Sequence, residues 1–179
     1  MGAEQLAVHN IALNVFNLSH ILSVGFMTAT SILVGEALGS RDLAGLKSVR
    51  RTSHYVVLMV SLPILLTLYF FRNEIAVAYS IDGDTKTLWL ELCLCILLLK
   101  LLDDIAKAGQ GFLVGLERTR VVFLGRFIGL WVVAMPAGYV LSAHYGVSGY
   151  WTGWIMGTAL ILIWFGLAGS TYVKHQKSK

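Results

Sequence analysis

Charge is scarce in this chain. Only 13% of its residues are Asp, Glu, Lys or Arg, and 56% are hydrophobic. A soluble domain carries about 25% charged residues. Together with a mean hydropathy of +0.72, this excludes an ordinary water-soluble fold and implies an integral membrane protein. Cysteine is nearly absent: Cys93 and Cys95 lie two positions apart. On a helix they point to different sides, which excludes a disulfide between them and a thiolate metal site. Phosphate loops, dinucleotide fingerprints and Ser/His/Asp constellations are missing, so neither an enzyme nor an ATP-driven pump is expected. The five histidines show no ligand spacing, and no metal or bound cofactor is expected beyond a coupling ion. No basic region precedes Glu4, so no cleavable signal peptide is visible. The net charge of +4 belongs to loops rather than to a nucleic-acid patch. Membrane lipid is the expected surrounding, and nucleic acid is not an expected partner.

Long apolar runs are abundant, and they predict an all-α bundle of five membrane spans in one domain. A crossing needs about 20 apolar residues. The spans fall at about 6–38, 55–71, 88–116, 121–141 and 150–172. The first half of the first span is unusually polar, with His9, Asn10, Asn14, Asn17 and His20. That half is expected to face water or other helices rather than lipid. Pro63 and Pro136 predict kinks in the second and fourth spans. A short helix is expected at Glu74–Tyr79, then an Asp-Gly turn at Asp82–Gly83.

Loop charges set the orientation. Arg41, Lys47, Arg50 and Arg51 lie between the first two spans. Arg118, Arg120 and Arg126 lie around the third connection, and Lys174, Lys177 and Lys179 form a tail. The fourth connection, Ser142–Gly149, has no Lys or Arg. The positive-inside rule then puts the tail in the cytoplasm and the amino terminus outside, consistent with a bacterial inner membrane. An outside start without a signal peptide leads us to expect that one or more spans normally precede Met1.

The third span holds the chemistry. Lys100, Asp103, Asp104 and Lys107 fall on one helical face, which Gly111 and Gly115 continue. Ionisable groups at such depth are expensive and usually face a cavity or a partner helix. Two readings stay open. Each acid is neutralised by a lysine one turn away, as a structural device. Alternatively, one desolvated carboxyl exchanges H⁺ or Na⁺ during transport. Glu36 and Glu91 lie nearer the interfaces and are expected to be partly solvated.

Four segments, in order, resemble the carboxy-terminal lobe of the multidrug and toxic compound extrusion (MATE) transporters. Leu6–Asn14 with Leu33–Gly39 resembles that family's eighth span, and Asp103 with Gly111–Gly115 its tenth. Trp131 with Pro136–Tyr139 resembles the eleventh, and Gly146–Gly153 the twelfth. The resemblance implies spans eight to twelve of a twelve-span, two-lobed transporter, without the amino-terminal lobe and the seventh span. It implies organic cations or drug-like molecules as substrates. It also implies Asp103 as the cation-coupling carboxylate, with Asp104, Lys100, Lys107 and Glu36 as modulators. Departures are visible. Lys107 stands where the family usually has an uncharged residue and could hold Asp103 in an ion pair. Val114 replaces a common arginine, and Glu36 stands where glutamine is frequent.

The leading expectation is therefore a lobe of a Na⁺- or H⁺-coupled multidrug exporter, inactive alone. A lobe of a lipid-linked sugar flippase and a non-transporting truncated membrane protein are the alternatives. A cationic cavity would favour the flippase.

Overall fold

The computed structural model describes residues 2–175, leaving aside the side chains of Ala3, Leu18, Val173, Lys174 and His175. Lys177 and Lys179 of the predicted basic tail lie outside the described residues. Every regular element described is helical: α1 (Ala3–Gly39), α2 (Leu43–Phe70), α3 (Arg72–Ala78), α4 (Gly83–Gly115), α5 (Thr119–Phe127), a π-helical segment (Ile128–Ala134) and α6 (Met135–His175). By length and composition, three stretches could cross a membrane: Glu4–Gly39, Leu43–Phe70 and Thr119–Tyr172. The last has 54 residues and would be about 80 Å long if straight. It instead folds back on itself at Gly146, where φ is 57° and ψ is −137°. α4 is equally rod-like but carries its charged centre.

Local chemistry explains the ends. α2 begins well before the apolar run at Tyr55 because Asp42 caps it, its Oδ1 accepting from Gly45 N at 2.8 Å. Leu46, one turn in, is buried with Val34, Phe112 and Leu116, so packing rather than lipid secures those first turns. The segment expected to be a helix at Glu74–Tyr79 forms as α3. Trp89 Nε1 of α4 donates to Arg72 O at 2.8 Å and ties the two together. Pro136 lies two residues beyond the end of the π-helical segment at Ala134, and the widened turns there absorb the backbone bond that proline cannot donate. The expected connection Ser142–Gly149 shrinks to Gly146 alone, with helix on both sides. Only glycine enters that backbone region without strain, and a Cβ there would also lie 2.9 Å from Gln5 Nε2.

α4 is the central helix and packs against α1, α2, α5 and α6. α1 runs parallel to it: Ser23 meets Asp104, and a Cβ on Gly115 would lie 2.5 Å from Ser31 O and 2.6 Å from Val34 Cβ. This close approach is the packing that the Gly111–Gly115 face predicts. The two arms of the final hairpin, 119–145 and 147–175, are antiparallel. Gly157 sits against Gly129 and Ala134, and Gly153 against the backbone of Gly138. Small residues thus let the arms approach backbone to backbone along their length.

Candidate functional site

The charged face of α4 is buried against α1. Lys100, Asp103 and Asp104 are 2%, 5% and 3% exposed, so each charge must find a partner inside the bundle. Two separate clusters result.

In the first, Lys100 Nζ pairs with Asp104 Oδ1, one turn along α4. Lys100 also donates to Ser23 Oγ of α1 at 2.7 Å. Ser23 in turn donates to Asp104 Oδ1. The Lys100 ammonium lies 5.9 Å from the centre of the Phe16 ring, an added contact for the cation. This closed triad is the lysine-neutralised arrangement expected for one of the two acids.

Asp103 behaves differently. The lysine one turn away, Lys107, makes no ion pair among the described residues. The carboxylate instead bridges two other helices. Its Oδ1 accepts from Arg126 Nη1 of α5 at 3.3 Å, and its Oδ2 faces His20 Nδ1 of α1 at 3.2 Å. Neither Oδ2 nor His20 Nδ1 has another hydrogen-bond partner among the described residues. Arg126 is steadied by Gln110, whose Oε1 accepts from Nη2 at 2.8 Å and from Nε at 3.1 Å. His20 stacks on Phe16, with ring centres 5.7 Å apart. The expected Asp103–Lys107 pair is thus replaced by ties across helices. Helical spacing identifies partners along one rod and is blind to partners on neighbouring rods.

Arg126 and His20 are the residues that sequence reasoning undervalued. By charge pattern Arg126 belongs with the loop charges, yet it lies two turns inside α5 and turns back toward α4. His20 belongs to the polar half of α1, the one signal that pointed to it. Asn10, Asn14 and Asn17 from the same half are exposed, and none is a partner of Asp103 or Asp104 among the described residues. Glu36 and Glu91 are exposed and take no part. Cys93 and Cys95 are unpaired thiols, the former buried. Around the two carboxylates stand three basic side chains, Lys100, Lys107 and Arg126, and His20.

Such an arrangement can respond to one event. Neutralising Asp103, by a proton or a small cation, weakens the ties to α1 and α5 together. The Asp104 triad would remain closed.

Comparison with known proteins places these features. The MatE family model matches residues 1–140. The multidrug resistance protein NorM of Aliivibrio fischeri is 32% identical, over 91% of this chain and 37% of its own length. The multidrug resistance protein MdtK of Proteus mirabilis is 31% identical, over 93% of this chain and 38% of its own. The chain thus spans less than two-fifths of these relatives. Among solved structures, an outward-facing multidrug resistance MATE transporter superposes with a TM-score of 0.85 at 19% identity. It covers 99% of this chain, which covers 41% of it. An inward-facing one gives 0.84 at 17% identity, covering 96% of this chain and covered to 40%.

Proposed function

Because the chain belongs to the MatE family, we propose that it forms the carboxy-terminal lobe of a multidrug exporter driven by Na⁺ or H⁺ antiport. The observation that carries this reading is Asp103, a buried carboxylate suspended between His20 of α1 and Arg126 of α5. In an alternating-access transporter two lobes rock about a central site. A lobe that moves as a unit should look alike in both end states. The similar superposition on inward-facing and outward-facing relatives supports that. The coupling ion competes with Arg126 and His20 for Asp103. Its arrival loosens three helices at once, and its departure draws them back.

Asn10, Asn14 and Asn17 form a polar exposed strip on α1, which in this reading faces the cavity shared with the second lobe. Organic cations or other drug-like molecules would bind between the lobes. The chain alone, offering one wall, exports nothing. The basic surplus around the site keeps the lipid-linked sugar flippase as the second reading, because an anionic cargo needs a cationic cavity. The multidrug resistance relatives favour the exporter.

The test uses a bacterial host stripped of its own drug exporters. Residues 1–179 are expressed alone and, separately, joined to the amino-terminal lobe of a MatE relative. The joined protein should raise drug resistance and ion-driven dye efflux, and the lone chain should leave both at the empty-vector level. Efflux by the lone chain that Asp103→Asn removes would overturn the inactivity claim. An inserted joined protein that exports no drug would overturn the exporter reading.

Five crossings are proposed, with the start of α1 and Gly146 outside and Arg50–Arg51 inside. In a chain lacking Cys93 and Cys95, a single cysteine at position 148 should react with an impermeant thiol reagent in intact cells. Reaction only after the membrane is opened would reverse the orientation.

A further inference from the structure

The opposite end of the molecule from Gly146 carries a cluster that ion coupling does not use. Lys47, Arg50, Arg51 and His54 recur at helical spacing on the first turns of α2 and line an open pocket there. Among the described residues no carboxylate pairs with any of them: the ion pairs are His20–Asp103, Lys100–Asp104 and Arg126–Asp103. Unneutralised, the three cations Lys47, Arg50 and Arg51 on one short surface repel one another, an arrangement that favours a bound anion, and the His54 ring adds a polar group beside them.

The pocket is also held in shape. Arg50 Nη2 donates to Gly166 O at 3.1 Å and to Ser170 Oγ at 3.0 Å, across to the second arm of α6. Its guanidinium lies 5.6 Å from the centre of the Phe112 ring of α4. His54 Nδ1 is 2.7 Å from Arg50 O, which leaves the other ring nitrogen for the pocket. Arg51 lies 5.4 Å from the Tyr55 ring centre, and Lys47 is exposed, with no ion-pair partner among the described residues. These groups therefore sit on a fixed platform rather than on a loose loop.

What lies beneath identifies the occupant. Below Arg51 on the same stripe of α2 come Tyr55, Met59, Leu62 and Leu66, which are 53%, 75%, 45% and 53% exposed. Basic groups at the head of an exposed apolar stripe match a molecule with an anionic phosphate and an acyl chain. We propose that this pocket binds the headgroup of an anionic phospholipid of the cytoplasmic leaflet, with its chain along Tyr55, Met59 and Leu62. The inference rests on the membrane-spanning reading and is independent of drug export.

The test needs no transport. The full chain is purified in a zwitterionic detergent and its tryptophan-monitored unfolding midpoint is followed. Short-chain phosphatidylglycerol, short-chain phosphatidylcholine and inorganic phosphate are titrated separately. Phosphatidylglycerol should raise the midpoint saturably, and the other two should not. Each basic residue near an anionic surface contributes about 1 kcal/mol. Lys47→Gln with Arg51→Gln should therefore weaken the apparent phosphatidylglycerol affinity about thirtyfold. Arg50 is left intact because it braces the helices. A control, Arg120→Gln, removes an exposed basic group outside the pocket and should leave the affinity unchanged. Equal stabilisation by inorganic phosphate would overturn the lipid assignment. So would an unchanged affinity in the double variant, an equal loss in the control, or no shift with phosphatidylglycerol.

Discussion

Asp103→Asn is expected to abolish ion-driven efflux in a two-lobed transporter carrying this chain as its carboxy-terminal lobe, with membrane expression unchanged. Asparagine has nearly the same shape and can still accept from Arg126. It cannot alternate between a charged and a neutral form, so ion arrival no longer changes its hold on α1 and α5. Efflux should fall to the level of the empty host, while drug binding to the purified protein persists. Asp104→Asn should lower efflux only as far as it lowers the amount of folded protein, because Asp104 is closed off by Lys100 and Ser23. The measurement is dye efflux after an imposed Na⁺ or H⁺ gradient, normalised to inserted protein. Undiminished efflux in Asp103→Asn, or an equal normalised loss in Asp104→Asn, would show that Asp103 is not the distinct coupling carboxylate.

The largest stability effect is expected at the triad itself. Lys100→Leu removes the paired cation and leaves Asp104, 3% exposed, buried with Ser23 as its remaining hydrogen-bond partner among the described residues. Removing one partner of a buried ion pair costs about 3–5 kcal/mol, because the remaining charge is stranded. Replacing both partners, as in Lys100→Leu with Asp104→Leu, should recover most of that loss. A well-packed apolar pair is often as stable as the ion pair it replaces. Denaturant unfolding of the purified protein, monitored by tryptophan fluorescence, would measure both. A single variant as stable as the parent, or a double variant no better than the single, would contradict this account of the triad.

Much of the helical framework was legible because lipid and helix geometry impose simple rules on sequence. Apolar runs of sufficient length located the rods, and Gly111 and Gly115 marked a face open to close packing or a cavity, though not which helix packs there. What stayed hidden has a common cause. Hydropathy places the second span from Tyr55, because Lys47, Arg50 and Arg51 interrupt the apolar run, but the helix itself extends back to Leu43. Nothing in a hydropathy window reveals that Asp42 caps a helix there and that Leu46 is buried. The Gly-Val-Ser-Gly stretch reads as a loop, but one glycine at positive φ completes the reversal. Helical spacing captured the Lys100–Asp104 pair, since both residues lie on one rod. It assigned Asp103 to Lys107 because the competing partners, Arg126 and His20, come from rods whose relative placement the sequence does not state. The π-helical segment before Pro136 had no signal beyond the proline.

The hairpin closed by Gly146 bears on how this protein enters its membrane. Between Arg126 and Lys174 the sequence contains no Asp, Glu, Lys or Arg. The reversal itself uses a single residue, so there is no hydrophilic loop to be carried through the hydrocarbon. The backbone polar groups are satisfied within each rod, as a lipid environment demands. With glycines allowing the arms to touch along their length, both rods can partition from the insertion machinery as one folded pair. In the proposed orientation the tip that crosses carries no Asp, Glu, Lys or Arg. In the proposed orientation, side-by-side entry would therefore meet a far lower barrier here than at the junction of α2 and α4, where Arg72, Glu74, Asp82 and Asp84 would have to be dragged across.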